Sequence, residues 1–294
     1  MIYLFDMSLN ILNEKKKEEF FNALKVVHSY YEQLNLGRLN FGDLTIDKKA
    51  KISEVLSFIS LFKSMIVSTK LIRIGSKGDG GYLIPDDFKE VKFCFSPGIN
   101  EIVNFENDLA EKFGIKSFMI DGSIKKPPLS NNLFKFKCLN LGSKNDKYTT
   151  TLSNWIKNSV DKKETEMILQ MDIEGSEYEV LIETSIETLS RFRAIIIEFH
   201  GLNNLFEQFY LKVIASIFNK LGTHFSIAHC HPNNCCGEVK VENITVPRVL
   251  EITFIRNDRI KYVSEMNPFT LPHHLDEKNV KKNPDLLMPE IWWK

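Results

Sequence analysis

The sequence predicts an α/β fold, a parallel sheet covered by helices, preceded by a helical N-terminal extension. Three observations predict it. From about residue 71 short apolar runs alternate with helical segments, the grammar of strands joined by crossover helices. Polar residues gather at the carboxyl ends of those runs. The chain of 294 residues is 43% hydrophobic and 26% charged, which can bury the core such a sheet needs. That composition excludes a disordered or collagen-like protein. Lys+Arg and Asp+Glu are equal at 38 each, so no net positive field holds a nucleic acid.

The first seventy residues read as helical. Phe20, Leu24, Val27, Tyr31 and Leu34 recur at helical spacing, and Ile52, Val55, Leu56, Ile59, Phe62 and Ile66 repeat the pattern. Lys15-Lys16-Lys17 is flanked by Glu14, Glu18 and Glu19 and reads as a solvated face. The first strand is Val91 to Phe95, stopped by Ser96-Pro97-Gly98. A helix follows with Phe105 and Leu109 on one face and Gly114 as its stop. Further strands are expected at Ser117–Ile120, Phe134–Leu139, Met167–Met171 and Ala194–Ile197, the last continuing into Glu198-Phe199-His200. A helix over Leu205–Leu221 precedes two last runs, Phe225–His229 and Val249–Ile255.

No apolar run reaches the length of a membrane span, and the start, Met1-Ile2-Tyr3-Leu4-Phe5-Asp6, lacks the basic region of a secretory signal. The five cysteines are odd in number and without scaffold spacing, so they read as free thiols. A cytoplasmic location is expected.

Ligands of an open parallel sheet bind outside the carboxyl ends of its strands. Here those ends carry Ser96, Asp121, Asp172, Glu174, Glu198, His200, His229 and His231. Asp121 lies about 20 residues past the Gly98 turn, where a carboxylate accepts from a ribose diol; it reads equally as a turn cap. A single glycine in Ser-Pro-Gly-Ile-Asn serves a pyrophosphate poorly, which favours a nucleoside without a diphosphate.

Three segments carry a resemblance: Arg73-Ile74-Gly75-Ser76-Lys77-Gly78-Asp79-Gly80-Gly81-Tyr82, then Ser96-Pro97-Gly98 with Phe105-Glu106-Asn107-Asp108-Leu109-Ala110, and Met171-Asp172-Ile173-Glu174-Gly175-Ser176-Glu177. Together they resemble the FkbM-type branch of the class I S-adenosylmethionine-dependent methyltransferases over roughly residues 71 to 256. The resemblance implies a Rossmann-like sheet of seven strands, the last antiparallel. With an extension read as helical over 1–70 and a tail over 261–294 packed on the domain or a partner subunit, it implies a methyltransferase domain over 71–260. It also implies S-adenosyl-L-methionine as cofactor. Gly98 with Ser96 would face its methionine part, Asp121 and Gly122 its ribose, and Ser143 its adenine. Asp79, Gly80, Gly81 and Tyr82 would close on the amino-acid end, and Asp172 would face the methyl-transfer region. The first loop departs from the class pattern, which commonly has an acid and two glycines there.

An alcohol acceptor needs a general base or a metal that lowers its pKa. Asp172, Glu174, Glu198, His200 and His229 are the candidate catalytic groups. Asp172, Glu198 and His229 make an oxygen-rich set suited to a divalent ion such as Mg²⁺ or Mn²⁺. Plainer readings stand beside these: Glu174 and Glu177 as helix N-terminal acids, His200 as a strand cap. The run His229 to Cys236 lacks zinc spacing, and Pro232 makes it a turn. It reads as an active-site loop whose Asn233 and Asn234 offer amides to a polyhydroxylated acceptor. The terminal Trp292-Trp293 reads as a docked tail, on the domain or on a second copy in a homo-oligomer.

The expected activity is O-methylation of a hydroxyl of a sugar, nucleotide-linked sugar or surface-glycan precursor, with a small-molecule or saccharide acceptor as partner. The rivals are an NAD-dependent sugar-nucleotide dehydrogenase or epimerase, a metal-dependent glycosyltransferase, and a binding module without chemistry. The Tyr-x-x-x-Lys pair of short-chain dehydrogenases is absent, which counts against the first rival.

Overall fold

The computed structural model describes residues 2–4, 38–41, 44–265 and 268–294. The chain divides into two compact units, Met1–Phe58 with Asn204–Ala215, and Ile59–Asn203 with Ser216–Lys294.

In the first unit β1 (Ile2–Leu4), β2 (Arg38–Phe41) and β3 (Leu44–Lys48) form an antiparallel sheet in the order β1-β3-β2. This corrects the expectation of a wholly helical extension. Leu39 and Phe41, then Leu44 and Ile46, alternate with period two around Gly42-Asp43, which is hairpin grammar. Phe41 pairs with Leu44 accordingly. The helix expected at Phe20–Leu34 and the lysine run before it lie outside the described residues. The second expected helix is present as α1 (Ile52–Ser64). In this unit the Ala50 amide donates to the Phe206 carbonyl at 2.8 Å.

The second unit opens with a hairpin, β4 (Leu71–Gly75) and β5 (Gly81–Pro85). In chain order there follow β6 (Phe93–Pro97), α2 (Asn104–Phe113), β7 (Lys116–Ile120) and β8 (Phe134–Lys137). The short pair β9 (Asn140–Leu141) and β10 (Thr149–Thr150) precedes α3 (Leu152–Lys157) and β11 (Met167–Met171). Then come α4 (Glu177–Glu183), α5 (Ile186–Leu189), β12 (Phe192–His200) and α6 (Gln208–Gly222), a helix the two units share. The last strands are β13 (Phe225–Pro232), the hairpin β14 (Glu238–Val241) with β15 (Ile244–Pro247), and β16 (Val249–Arg256).

The main sheet has seven strands in the order β13-β16-β12-β11-β6-β7-β8. β6, β7, β8, β11 and β12 run parallel, and β16 is antiparallel to both its neighbours. The expected sheet, last strand reversed, is therefore present. β6 starts and ends two residues later than the sequence suggests. Val91 is taken up in a turn, its amide donating to Phe88 at 3.0 Å. Pro97, without an N–H, pairs only toward β7, and the ladder to β11 stops at Phe95. Pro232 is likewise not a turn residue. It ends β13 opposite Leu250, on an edge strand where proline removes no ladder bond.

Strand residues alternate between two packed faces. Cys94, Ile168, Ala194 and Ile196 meet Ile74, Tyr82 and Ile84 of the hairpin and Phe105 and Leu109 of α2. On the other face Phe95 stands edge-on to Trp155 of α3 at 4.9 Å, while Phe199 and Phe254 contact Phe218 of α6 at 5.6 and 5.9 Å. Burial on both faces explains why β11 and β12 read as near-continuous apolar runs. No helix among the described residues is long and apolar enough to cross a membrane.

Trp292 and Asn234 help to tie down the C-terminal segment. Trp292 is 1% exposed, edge-on to Phe62 at 5.3 Å, and its Nε1 donates to the Thr245 carbonyl at 3.0 Å. The Asn234 amide donates to the Val280 and Pro284 carbonyls, each at 3.0 Å, and its Oδ1 accepts from the Val280 amide at 2.8 Å. Removing a buried indole costs about 3–5 kcal/mol through lost contacts and a residual cavity. Trp292→Ala is therefore expected to lower the urea midpoint sharply with the denaturant slope unchanged; a midpoint like that of wild type would mean the tail is not docked in solution.

Candidate functional site

The loops at the carboxyl ends of β6, β7 and β11 enclose a cavity of ≈ 360 Å³. Gly98 closes the first loop with φ +79°, a left-handed conformation that side chains resist. A Cβ on it would lie 1.6 Å from the Asp172 carbonyl, so only glycine lets the β6 and β11 loops approach. At the end of β7, Asp121 is 8% exposed. Its Oδ2 accepts from the Asn100 amide at 2.8 Å, and its Oδ1 from the Ser123 amide and hydroxyl at 2.7 and 2.6 Å. The turn-cap reading is thus realised, and the same carboxylate also lines the cavity.

Of the other expected cofactor residues, Asp79, Gly80, Tyr82, Gly122 and Asp172 line the cavity; Ser96, Gly81 and Ser143 do not. Ser143 donates to Glu179 at 3.0 Å. A Cβ on Gly81 would fall 2.0 Å from the Ser76 carbonyl, so this glycine serves the tight loop between β4 and β5. Ser96 is buried beneath the floor, where it opens a polar chain that the sequence did not reveal. Glu106, Ser96 and Gln170 are linked, the Ser96 hydroxyl donating to Gln170 Oε1 at 2.7 Å. Gln170 Nε2 then donates to the Tyr82 hydroxyl at 3.1 Å. Since Ser96 has one proton and spends it on Gln170, Glu106 satisfies the chain by donating its own. Burial agrees, pushing the Glu106 carboxyl up to about 7 against the Ser96 contact. Gln170 alone had a sequence signal, as a lone amide inside an apolar strand.

A second cluster stands where β11 and β12 end. His200 Nδ1 is 3.1 Å from Glu177 Oε1. His200 Nε2 is 3.5 Å from Glu174, 3.7 Å from Glu198 and 3.8 Å from Asp172. Ligand atoms of Asp172, Glu174 and His200 all lie within 4.8 Å of one another. Glu177 is 0% exposed; its Oε1 accepts from the Ile173 and Gly175 amides, each at 3.1 Å. It is therefore a helix-start acid, as expected, and also the brace of the loop that carries Asp172 and Glu174. Burial raises the Asp172 carboxyl to about 7, with His200 opposing and Glu174 adding to the rise. Burial and the nearby Asp172 push Glu198 well above the carboxylate range. For His200, burial lowers the pKa, and the hydrogen bond and charge of Glu177 with the other carboxylates outweigh it, for a net rise.

His229 does not join this cluster, contrary to expectation. It lies on β13, two strands from β12, and its Nε2 is 2.9 Å from Asp276 Oδ1. His231 Nδ1 is 3.8 Å from the same carboxylate. Burial raises Asp276, but the two imidazoles outweigh it and hold it below its ordinary value. Asn234 is taken up by the C-terminal segment, and Asn233 donates to Glu198 Oε1 at 2.9 Å, so this stretch is structural rather than an open loop of amides.

The sheet order, the reversed last strand and a cavity between a glycine turn and an acid on the next strand define a Rossmann-like methyltransferase fold. Residues 120–225 match the methyltransferase FkbM domain. The chain carries an FkbM-type methyltransferase domain and is a methyltransferase. Among solved structures, the human methyltransferase 10 domain containing protein is similar at 10% identity, covering 70% of this chain and 83% of that chain with a TM-score of 0.31. Comparison with curated proteins finds no match.

The buried Glu106 predicts a pH dependence. Its folded pKa of about 7 exceeds the ordinary 4.5, so the neutral acid is favoured on folding. The associated stability is full below pH 4.5 and is lost as pH rises through 7, about 3 kcal/mol in all. Wild type should lose stability between pH 5 and 8 more steeply than Glu106→Gln in urea titrations; parallel profiles would contradict a protonated Glu106.

Proposed function

We propose that this methyltransferase uses S-adenosylmethionine and methylates a hydroxyl of a saccharide-like acceptor. The observation that carries the reading is the charge of the cavity. Asp79, Asp121, Asp172 and Glu174 line it beside the protonated Glu106, with no Lys or Arg among the described lining residues. A cofactor bearing a sulfonium and an ammonium suits such a wall, whereas the pyrophosphate of NAD or of a nucleotide-linked sugar is repelled by it. This favours methyl transfer over a dehydrogenase, an epimerase or a glycosyltransferase, and a free or glycan-borne sugar over a nucleotide-linked one.

When bound, the cofactor supplies an electrophilic methyl group on sulfur. The chain's own residues then have separable tasks. The Gly98 turn admits the ligand close to the backbone. A carboxylate offers about four acceptor sites, and Asp121 has three occupied, which leaves room for one ribose hydroxyl. The Ser96–Gln170–Tyr82 chain holds the Tyr82 hydroxyl in the cavity wall. Asp172 and Glu174 of the cavity wall, with His200 beside them, are the groups that would take the acceptor hydroxyl's proton as the new O–C bond forms. We assign the methyltransferase domain to 71–260, with 261–294 packed on it.

Calorimetric titration with S-adenosylhomocysteine tests the reading. Wild type is expected to bind it and to ignore NAD, while Asp121→Ala should lose at least tenfold in affinity, the scale of one hydrogen bond to a charged group. Binding of NAD in place of S-adenosylhomocysteine would overturn the proposal.

A further inference from the structure

We propose that Asp172, Glu174, Glu198 and His200 form a divalent cation site of the manganese type, which takes the acceptor's hydroxyl. The role in methyl transfer rests on the function proposed above; the site itself does not.

The spacing is the first argument. Three carboxylates stand 3.5–3.8 Å from His200 Nε2, beyond good hydrogen bonds. Neighbouring donors around a cation with bonds of about 2.1 Å are separated by about 3.0–3.4 Å, and the ligand atoms of Asp172, Glu174 and His200, all within 4.8 Å of one another, reach that spacing by contraction, with Glu198 beside them. The second argument is independent of the first. The buried Oδ1 of Asp172, 3.8 Å from His200 Nε2, has no hydrogen-bond partner, and Glu198, 4% exposed, has its Oε1 taken by Asn233 and its Oε2 without a partner. Buried carboxylate oxygens without donors are costly unless a cation meets them. The third argument is orientation. Glu177 engages His200 Nδ1, which turns Nε2 toward the carboxylates, the usual support for a metal-bound imidazole.

One nitrogen with carboxylate oxygens suits Mn²⁺ better than Mg²⁺ or Ca²⁺, which prefer oxygen alone. Glu174 is 86% exposed at its side chain, so the site opens to solvent and to an acceptor. There the cation would lower the pKa of a coordinated hydroxyl. Its proton passes to solvent, the alkoxide oxygen bonds to the methyl carbon, and the carbon–sulfur bond breaks. S-adenosylhomocysteine leaves uncharged at sulfur.

The test is Mn²⁺ titration of the metal-free full-length chain, followed by the loss of the free-ion electron paramagnetic resonance signal, with S-adenosylhomocysteine binding measured on the same samples. One ion per chain is expected, with affinity falling at least tenfold in Glu198→Gln and in His200→Ala. Glu174→Gln, at an exposed position that endangers no core packing, should also weaken it. Absence of Mn²⁺ binding up to millimolar concentration, or equal affinity in Glu174→Gln and wild type, would overturn the site. Homocysteine-compound binding without Mn²⁺ binding would sink the cation alone, whereas Mn²⁺ binding without it would sink the cofactor reading alone.

Discussion

The carboxylate of Glu177 is the interaction on which the site depends. Fully buried at the start of α4, it accepts from two amides of the loop that leaves β11 and engages the imidazole that ends β12. That loop carries Glu174 and Gly175 in left-handed conformations, φ +54° and +103°, which need outside support. One buried side chain supplies the support and sets the distance between two strand ends. Without it neither Asp172 nor His200 would hold a defined place.

Charge and burial then divide the site into two regions. Toward β6 and β7 the acids are engaged by amides and hydroxyls, and a protonated Glu106 joins a chain of neutral groups ending at Tyr82. Toward β12 the carboxylates outnumber the hydrogens available to them, and oxygens of Asp172, Glu177 and Glu198 stay unbonded. The first region is finished as it stands, its acids met by donors within the chain. In the second, burial raises the Asp172 and Glu198 carboxyls, the cost of oxygens left without donors.

A third cluster, Asp276 with His229 and His231, shows how far similar residues can serve stability instead. Here two imidazoles face one carboxylate, His229 at 2.9 Å and His231 at 3.8 Å. The cluster fastens the segment after β16 to the edge strand, beside the Asn234 contacts and the Trp292 anchor. Removing Asp276 would leave the buried His229 imidazole without its partner, a loss to folding rather than to chemistry.

The sheet was legible in the sequence because periodicity is local: Met167–Met171 is apolar but for Gln170, and Gly114 stops α2 as its position announces. Gly98, Asp121 and Asp172 were legible too, since a strand's end fixes where its next residue lies. The exchange of His200 for His229 was not. Both follow apolar strands with polar endings, and only the strand order, with β16 inserted between β12 and β13, separates them. Glu106, Gln170 and Glu177 gained their roles from neighbours many residues away, through hydrogen bonds whose partners no spacing specifies. The sequence by itself determined the alternation of strands and helices and the acids at their ends, because those follow from hydrophobic period and chain direction. Which acids share a proton, brace a loop or crowd one imidazole was decided by tertiary structure, because burial and distance set the cost of a charge.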